Sequence, residues 1–385
     1  MATPTNPSTN PGPLALIAEI THRCPLHCVY CSNPLELTAR ERELSTAAWI
    51  GVFEQGAKLG VMQLDLTGGE PLARPDLVEL VRASRKNGLY VNLITSGIGL
   101  SADRLAELVD AGLDHLQLSF QDAEAGPADE FAGLTAHGKK LAIAREIAKH
   151  RIGFTVNLVV HRRNVRRLEE MLAMAEGLGA QRIEVAHVQY YGWAVPNRGE
   201  LLPTREQVEW SLDVLARAQE RLRGRIRLEY VTPDYYARFP KACMGGWGQK
   251  LMLIDPAGFA LPCHAARVIP GLQFENVGMR GLEWIWSESE SFNKYRGEEW
   301  MEEPCRSCDR RAVDFGGCRC QAQMLAGDAA ATDPVCSLSP LRAKVDATVA
   351  EAVRGGRVSE AGGAGEFVPV AEVAEARWSY RLNPR

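Results

Sequence analysis

Residues 24–31 read Cys24-Pro25-Leu26-His27-Cys28-Val29-Tyr30-Cys31. Three thiols at offsets of four and three, with an aromatic before the last, can fold around one face of a cubic cluster of four irons and four sulfides. Three ligands on four irons leave one iron open, whereas a structural cluster or a structural zinc takes a fourth protein ligand. The open position implies that a substrate or cosubstrate binds to the metal. The plainer alternatives are a zinc knuckle or three unrelated buried thiols, and the rest of the chain decides between them.

Working outward, Leu14 to Ile20 is an apolar run that reads as a buried strand delivering the chain into the cysteine loop. Ser45 is placed to N-cap an amphipathic helix reaching Leu59, and Val61 to Leu66 reads as a second strand. The alternation predicts helices near 75–87, 101–111, 136–150, 165–178 and 204–222, and strands near 89–94, 113–119, 153–160 and 182–189. Six strands, each followed by a helix, describe an α/β fold with a parallel sheet curled into a partial (β/α)6 barrel. Active sites of such barrels lie at the strands' C-terminal ends, where the cysteine loop falls. The sequence divides into a disordered tail over 1–13, the barrel over 14–224, a cysteine-rich segment over 225–340, and a last part over 341–385. That last part holds a helix at 341–353, a Gly-rich linker from Gly355 to Gly365, and about twenty residues that are mobile or dock on a partner.

With 46% apolar residues, 24% charged ones and a net charge of -4 over 385 residues, nothing in the composition favours nucleic acid or a membrane surface. No leader-like start or long apolar run is apparent, so a cytoplasmic location is expected. In a reducing compartment ten cysteines point to metal more than to disulfides.

The second strand ends in Thr67-Gly68-Gly69-Glu70-Pro71. Paired glycines admit a ligand close to the backbone, their amides and carbonyls can pair with an amino group, and Glu70 adds charge. Alone this is a common turn. Beside the cysteine loop, the pairing resembles the radical S-adenosylmethionine (SAM) superfamily. That resemblance implies SAM chelating the open iron, Cys24, Cys28 and Cys31 as ligands of a 4Fe-4S cluster, and Gly68, Gly69 and Glu70 contacting the cosubstrate. It also draws attention to other strand ends, Thr95 and Ser96, Ser119 and Gln121, and to Asn157 within the fifth strand.

The later cysteines are Cys243, Cys263, Cys305, Cys308, Cys318, Cys320 and Cys336. With Gly258 five residues before Cys263 and a Cys-x2-Cys pair at 305–308, they resemble the SPASM extension, which carries two auxiliary iron-sulfur clusters in peptide-modifying enzymes. Where that pattern has a cysteine six residues after the pair, this chain has Asp314. Two clusters of four protein ligands need eight donors, and seven cysteines plus Asp314 supply them. The resulting sets are Cys305, Cys308, Asp314 and Cys336 for a 4Fe-4S cluster, and Cys243, Cys263, Cys318 and Cys320 for one of four irons or two. An oxygen ligand alters a cluster's potential, which suggests electron transfer. His264, beside Cys263, is a neighbour that tunes the site.

Gln189, Tyr190, Tyr191 and Trp193 end the sixth strand and are candidates for a peptide pocket wall, with simple packing as the alternative. The basic run His161 to Arg167 reads as a solvated loop and helix start, an acidic docking partner being the sharper alternative. The stretch Val188 to Ala194, together with Cys24 to Pro34, Cys243-Met244-Gly245-Gly246-Trp247-Gly248 and Asp314-Phe315-Gly316-Gly317-Cys318-Arg319-Cys320, resembles the peptide cyclases of pyrroloquinoline quinone (PQQ) biosynthesis. That resemblance implies a radical that crosslinks glutamate to tyrosine in the precursor peptide PqqA, a peptide chaperone PqqD, and an electron donor such as flavodoxin. The rivals are a thioether-forming or sulfatase-maturating enzyme and a zinc-binding scaffold. No general base can be named from the sequence.

Overall fold

The computed structural model describes residues 11–354, 356–358, 367–369 and 378–384. Its elements run β1 (Ala15–Thr21), α1 (Thr46–Lys58), β2 (Gln63–Gly68), α2 (Leu77–Lys86), β3 (Tyr90–Thr95), α3 (Ala102–Asp110), β4 (His115–Phe120), α4 (Ala125–Ala132), α5 (His137–Ile147), β5 (Gly153–Val160), α6 (Leu168–Gly177), β6 (Arg182–His187), α7 (Arg198–Leu201), α8 (Arg205–Leu222) and β7 (Arg227–Val231). The strands lie side by side in chain order and every neighbouring pair is parallel. Parallel neighbours need a long crossover, which the helices supply. Their starts are chemically marked: Ser45 Oγ accepts from Ala48 N, Ser101 Oγ from Arg104 N, and Thr204 and Gln207 form a capping box.

The sheet extends beyond six strands. Strand β7 adds to β6, and β8 (Leu251–Ile254) pairs in parallel with the free edge of β1, followed by antiparallel β9 (Ala260–Leu261). The cysteine-rich region thus shares the barrel's sheet through backbone hydrogen bonds. Pattern reading passes over β7 because Leu228 is its one buried residue, and over α4 because Gly126 and Pro127 sit in its first turn.

Within the strands, Leu64 and Leu66, Leu116 and Leu118, Val156 and Leu158, and Ile183 and Val185 are buried. They form one core with Trp49 and Phe53 of α1, Leu80 of α2, Leu108 of α3, Ile147 of α5 and Met171 of α6. Each such side chain contributes about 1.5–3 kcal/mol by burial. Period-two alternation sends Asp65, Gln117, Ser119, Asn157 and Glu184 to the other face. The barrel interior is consequently polar.

Pro11 to Pro13, read from sequence as part of a disordered tail, are docked: Trp286 Nε1 donates to Pro11 O and Leu14 N to Lys250 O. Residues 1–10 lie outside the described residues, as does most of the Gly-rich stretch, of which Gly356–Val358 pairs with Phe367–Pro369. The expected helix is present as Arg342–Val353. Among the described residues no helix is long and apolar enough to cross a membrane.

Candidate active site

The cysteine loop leaves β1 at the C-terminal edge of the barrel and is pinned along its length. His27 N donates to Ala132 O, Val29 N to Phe131 O, and Trp193 N to Cys31 O. Asn197 Nδ2 reaches Val29 O at 2.7 Å. Burial raises the pKa of all three thiols, that of Cys28 to about 11, with the Cys31 charge adding to it and Lys140 opposing it.

The Gly68-Gly69-Glu70 stretch serves first to let this loop pass. A Cβ on Gly68 would stand 2.2 Å from Thr21 O, and one on Gly69 2.4 Å from Arg23 O. The Gly69 and Glu70 amides, expected to be free for an amino group, are instead taken by Thr21 O and Arg23 O at 2.6 and 2.7 Å. The Glu70 carboxylate is likewise engaged, accepting from Thr95 Oγ1 at 2.6 Å, Ser96 N at 2.8 Å, Ser96 Oγ at 2.5 Å and Leu72 N at 3.1 Å. It braces the end of β3 against the end of β2. Burial pushes its pKa up, and those hydrogen bonds oppose the rise.

Near the end of β4 and within β5, Ser119 and Asn157 stand opposite one another in register. Asn157 Oδ1 is buried without a hydrogen-bond partner, an open acceptor that a polar ligand in the barrel mouth would satisfy. Gln121 is less available, since its Oε1 takes Lys140 Nζ at 2.7 Å. Lys140 is buried, and burial lowers its pKa to about 8 against the opposing charges of Cys28, Glu70 and Cys24. It is a cation set among the thiols and Glu70.

The loop after β6 joins two thiol groups. Gly192 has φ +50°, and a Cβ there would stand 2.1 Å from Asn33 O, so the loop lies directly on the cysteine loop. Tyr191 Oη lies 3.1 Å from Cys318 Sγ. Tyr190 and Trp193 are buried, and Tyr190 packs on Tyr235 with ring centroids 5.4 Å apart. Gln189 Nε2 turns back to His187 O.

Cys243, Cys263, Cys318 and Cys320 come together: Cys263 Sγ is 3.5 Å from Cys320 Sγ, and the neighbouring Cys263 and Cys318 thiols push the Cys243 pKa up. Cys305, Cys308, Asp314 and Cys336 line one cavity. Asp314 is buried, with Oδ2 3.2 Å from Arg310 Nε and Oδ1 accepting from Gly316 N. Among the described residues no group of three or more His, Cys, Asp or Glu is disposed about a single metal ion.

The Radical SAM superfamily model matches residues 18–175, and the SPASM model, an iron-sulfur cluster-binding domain, matches 243–309. The PqqA peptide cyclase of Methylobacterium nodulans is 56% identical over 340 residues, covering 88% of this chain and 90% of the relative. The chain belongs to the PqqA peptide cyclase family. A second PqqA peptide cyclase, from Gluconobacter oxydans, is 55% identical over 338 residues, covering 88% of this chain and 94% of its own. In fold, the chain is similar to Streptococcus suis SuiB bound to S-adenosylmethionine, with TM-score 0.71, 17% identity, and coverage of 85% and 78% of the two chains. SuiB bound to the precursor peptide SuiA gives TM-score 0.70 at 16% identity, covering 85% of this chain and 76% of that one.

This member of the PqqA peptide cyclase family is therefore a radical SAM enzyme of the iron-sulfur class. Several residues around its thiols carry no sequence signal. Asp333 accepts Cys318 N at 2.7 Å through its side chain and Cys336 N at 2.9 Å through its carbonyl, tying one late thiol set to the other. Burial and the Cys318 charge raise its pKa to about 6. His264 Nδ1 lies 2.9 Å from Glu19 Oε1, which pairs the residue after Cys263 with the barrel. The basic run is largely spoken for: Arg163 pairs with Glu200, Arg166 with Glu206 and Arg167 with Asp122. Arg162 donates to Gly199 O and Ala352 O. These pairings leave the acidic docking partner without support.

Proposed function

We propose that the enzyme joins a glutamate and a tyrosine side chain of a PqqA-type precursor peptide by a carbon-carbon bond. Cys24, Cys28 and Cys31 hold the first cluster, and the Gly68 to Glu70 backbone, Thr95, Ser96, Ser119, Gln121 and Asn157 surround the cosubstrate. Bound there, cluster and SAM would supply the radical chemistry that removes the first substrate hydrogen, and the auxiliary clusters would accept the electron released as the second leaves as a proton. The chain's own residues confine that chemistry: the polar barrel interior orients the cosubstrate, and Tyr190 and Trp193 wall the mouth against water. Cys243, Cys263, Cys318 and Cys320 hold one auxiliary cluster, and Cys305, Cys308, Asp314 and Cys336 a second, within a SPASM region joined to the barrel. PqqD and a flavodoxin-type donor are the partners this assigns.

The observation that carries the reading is that Asp314, buried, lines one cavity together with Cys305, Cys308 and Cys336. A solvated loop aspartate would not be enclosed this way, and an oxygen donor among thiolates sets a cluster apart from a structural staple. The test is mass spectrometry of a PqqA-type peptide after anaerobic turnover with SAM and a strong reductant. Loss of two hydrogens, with fragmentation joining glutamate to tyrosine, is expected. An unchanged peptide beside intact clusters, or a thioether in its place, overturns the reading. Zinc without sulfide in anaerobically purified protein would overturn the enzyme assignment itself.

A further inference from the structure

Residues 378–384 lie against the cysteine loop, although they are far from it in the chain. His27 Nδ1 is 2.6 Å from Arg381 O, Arg381 N donates to His27 O at 3.3 Å, and Cys24 N donates to Asn383 Oδ1 at 3.1 Å. The segment is anchored upstream as well. Asn197, which also holds Val29 O, exchanges two hydrogen bonds with the Ser379 backbone, and Trp378 Nε1 donates to Glu130 Oε1 at 2.7 Å.

Seated this way, the segment buries one guanidinium against the backbone that leads into the cysteine loop. Arg381 is 1% exposed. Its Nη2 donates to His22 O and its Nη1 to Asn383 Oδ1. Its Nε is buried without a hydrogen-bond partner. A buried cation with a spare N–H is costly unless negative charge faces it. Three thiolates around an iron-sulfur cluster are that charge, and it grows by one electron on reduction.

We propose that residues 378–384 form part of the first cluster's site, and that Arg381 is a positioning residue whose charge and spare N–H raise that cluster's reduction potential. A nearby cation and a hydrogen bond to sulfur both favour the reduced state. The inference rests on the reading that Cys24, Cys28 and Cys31 hold a cluster.

The test is a redox titration of the fully loaded, full-length protein followed by electron paramagnetic resonance, comparing wild type with Arg381→Gln, Arg381→Lys and Trp378→Ala. Arg381→Gln should disfavour reduction of the first cluster about tenfold, a lowering of about 59 mV for one electron, with both auxiliary signals unmoved. Arg381→Lys should restore part of the difference. Trp378→Ala, which loosens the segment without touching the thiols, should lower the potential in the same direction. An unchanged first-cluster potential in Arg381→Gln, or an equal shift in all clusters, would overturn the inference. Failure of the underlying reading would show differently, as wild type lacking any signal that SAM perturbs.

Discussion

Tyr191 Oη lies 3.1 Å from Cys318 Sγ, and two residues further on Trp193 N holds the Cys31 carbonyl at 2.9 Å. One short loop therefore contacts both the N-terminal thiol loop and a late thiol set. Burial, reinforced by Cys318, keeps the Tyr191 phenol protonated and so a donor. Tyr191→Phe should lower the potential of the auxiliary cluster proposed on Cys243, Cys263, Cys318 and Cys320 and leave the other clusters unmoved, because one hydrogen bond to sulfur is lost. The folding cost should be about 1 kcal/mol, read as a small drop in Tm.

Glu70 is better described as a brace between strands than as a free contact, because its carboxylate already accepts from Thr95, Ser96 and Leu72. Glu70→Gln turns one acceptor oxygen into a donor facing other donors, at a cost of about 1–3 kcal/mol. Calorimetry should show weaker SAM binding together with a lower Tm. Weaker binding at an unchanged Tm would mean that Glu70 meets the cosubstrate directly.

Gly69→Ala tests how tightly the two loops pass. Its Cβ would meet Arg23 O at 2.4 Å and His22 O at 2.6 Å, both backbone atoms with no side-chain freedom. Overpacking of this kind costs about 1–3 kcal/mol. The expected result is selective loss of iron and sulfide from the first cluster with the auxiliary clusters retained.

Asp314→Cys should keep the iron and sulfide content of wild type and shift the potential of one auxiliary cluster. Asp314→Ala, which leaves Arg310 without its 3.2 Å partner, should lower the iron content. Equal iron in wild type and Asp314→Ala, with unchanged spectra, would remove Asp314 from the ligand set.

The alternating half of the fold was legible because its signals are local: period-two strands, and helices opened by Ser45, Ser101 and Thr204. The late cysteines were visible in the sequence, but their expected grouping came from a family resemblance and a count of donors. Lys140 and Arg381 were not legible, since a buried cation looks in sequence like any solvated one, and only the fold encloses it. The spare capacity expected of the Gly69 and Glu70 amides also failed to appear, because the partners that consume it, Thr21 O and Arg23 O, come from another strand's end. The same holds for the final segment, expected to be mobile or to bind a partner, whose residues 378–384 meet this chain's own loop.

Two buried histidines give a pH dependence. Burial lowers the pKa of His161 to about 3, with Arg167 adding to it, and that of His187 to about 4, with Lys241 adding to it. The unfolded chain binds these protons near pH 6.5, so between that value and the folded values it holds more protons than the native state. The stability they represent is present above about pH 6.5 and is lost as pH falls toward 4 and then 3, by at most about 1.4 kcal/mol per pH unit for each. His187→Leu should flatten the fall in Tm between pH 6.5 and 5; an unaltered slope would rule His187 out as its source.

The contacts between the cysteine loop and residues 378–384 impose an order of assembly. Arg381 and the His22 carbonyl it holds are 359 residues apart, and a chain is synthesised from its N-terminus. The cysteine loop thus gains its Arg381 contact only after 359 further residues have been made. Iron and sulfide delivered before residue 381 exists would meet thiols lacking their neighbouring cation, which favours insertion into a folded chain over insertion during synthesis.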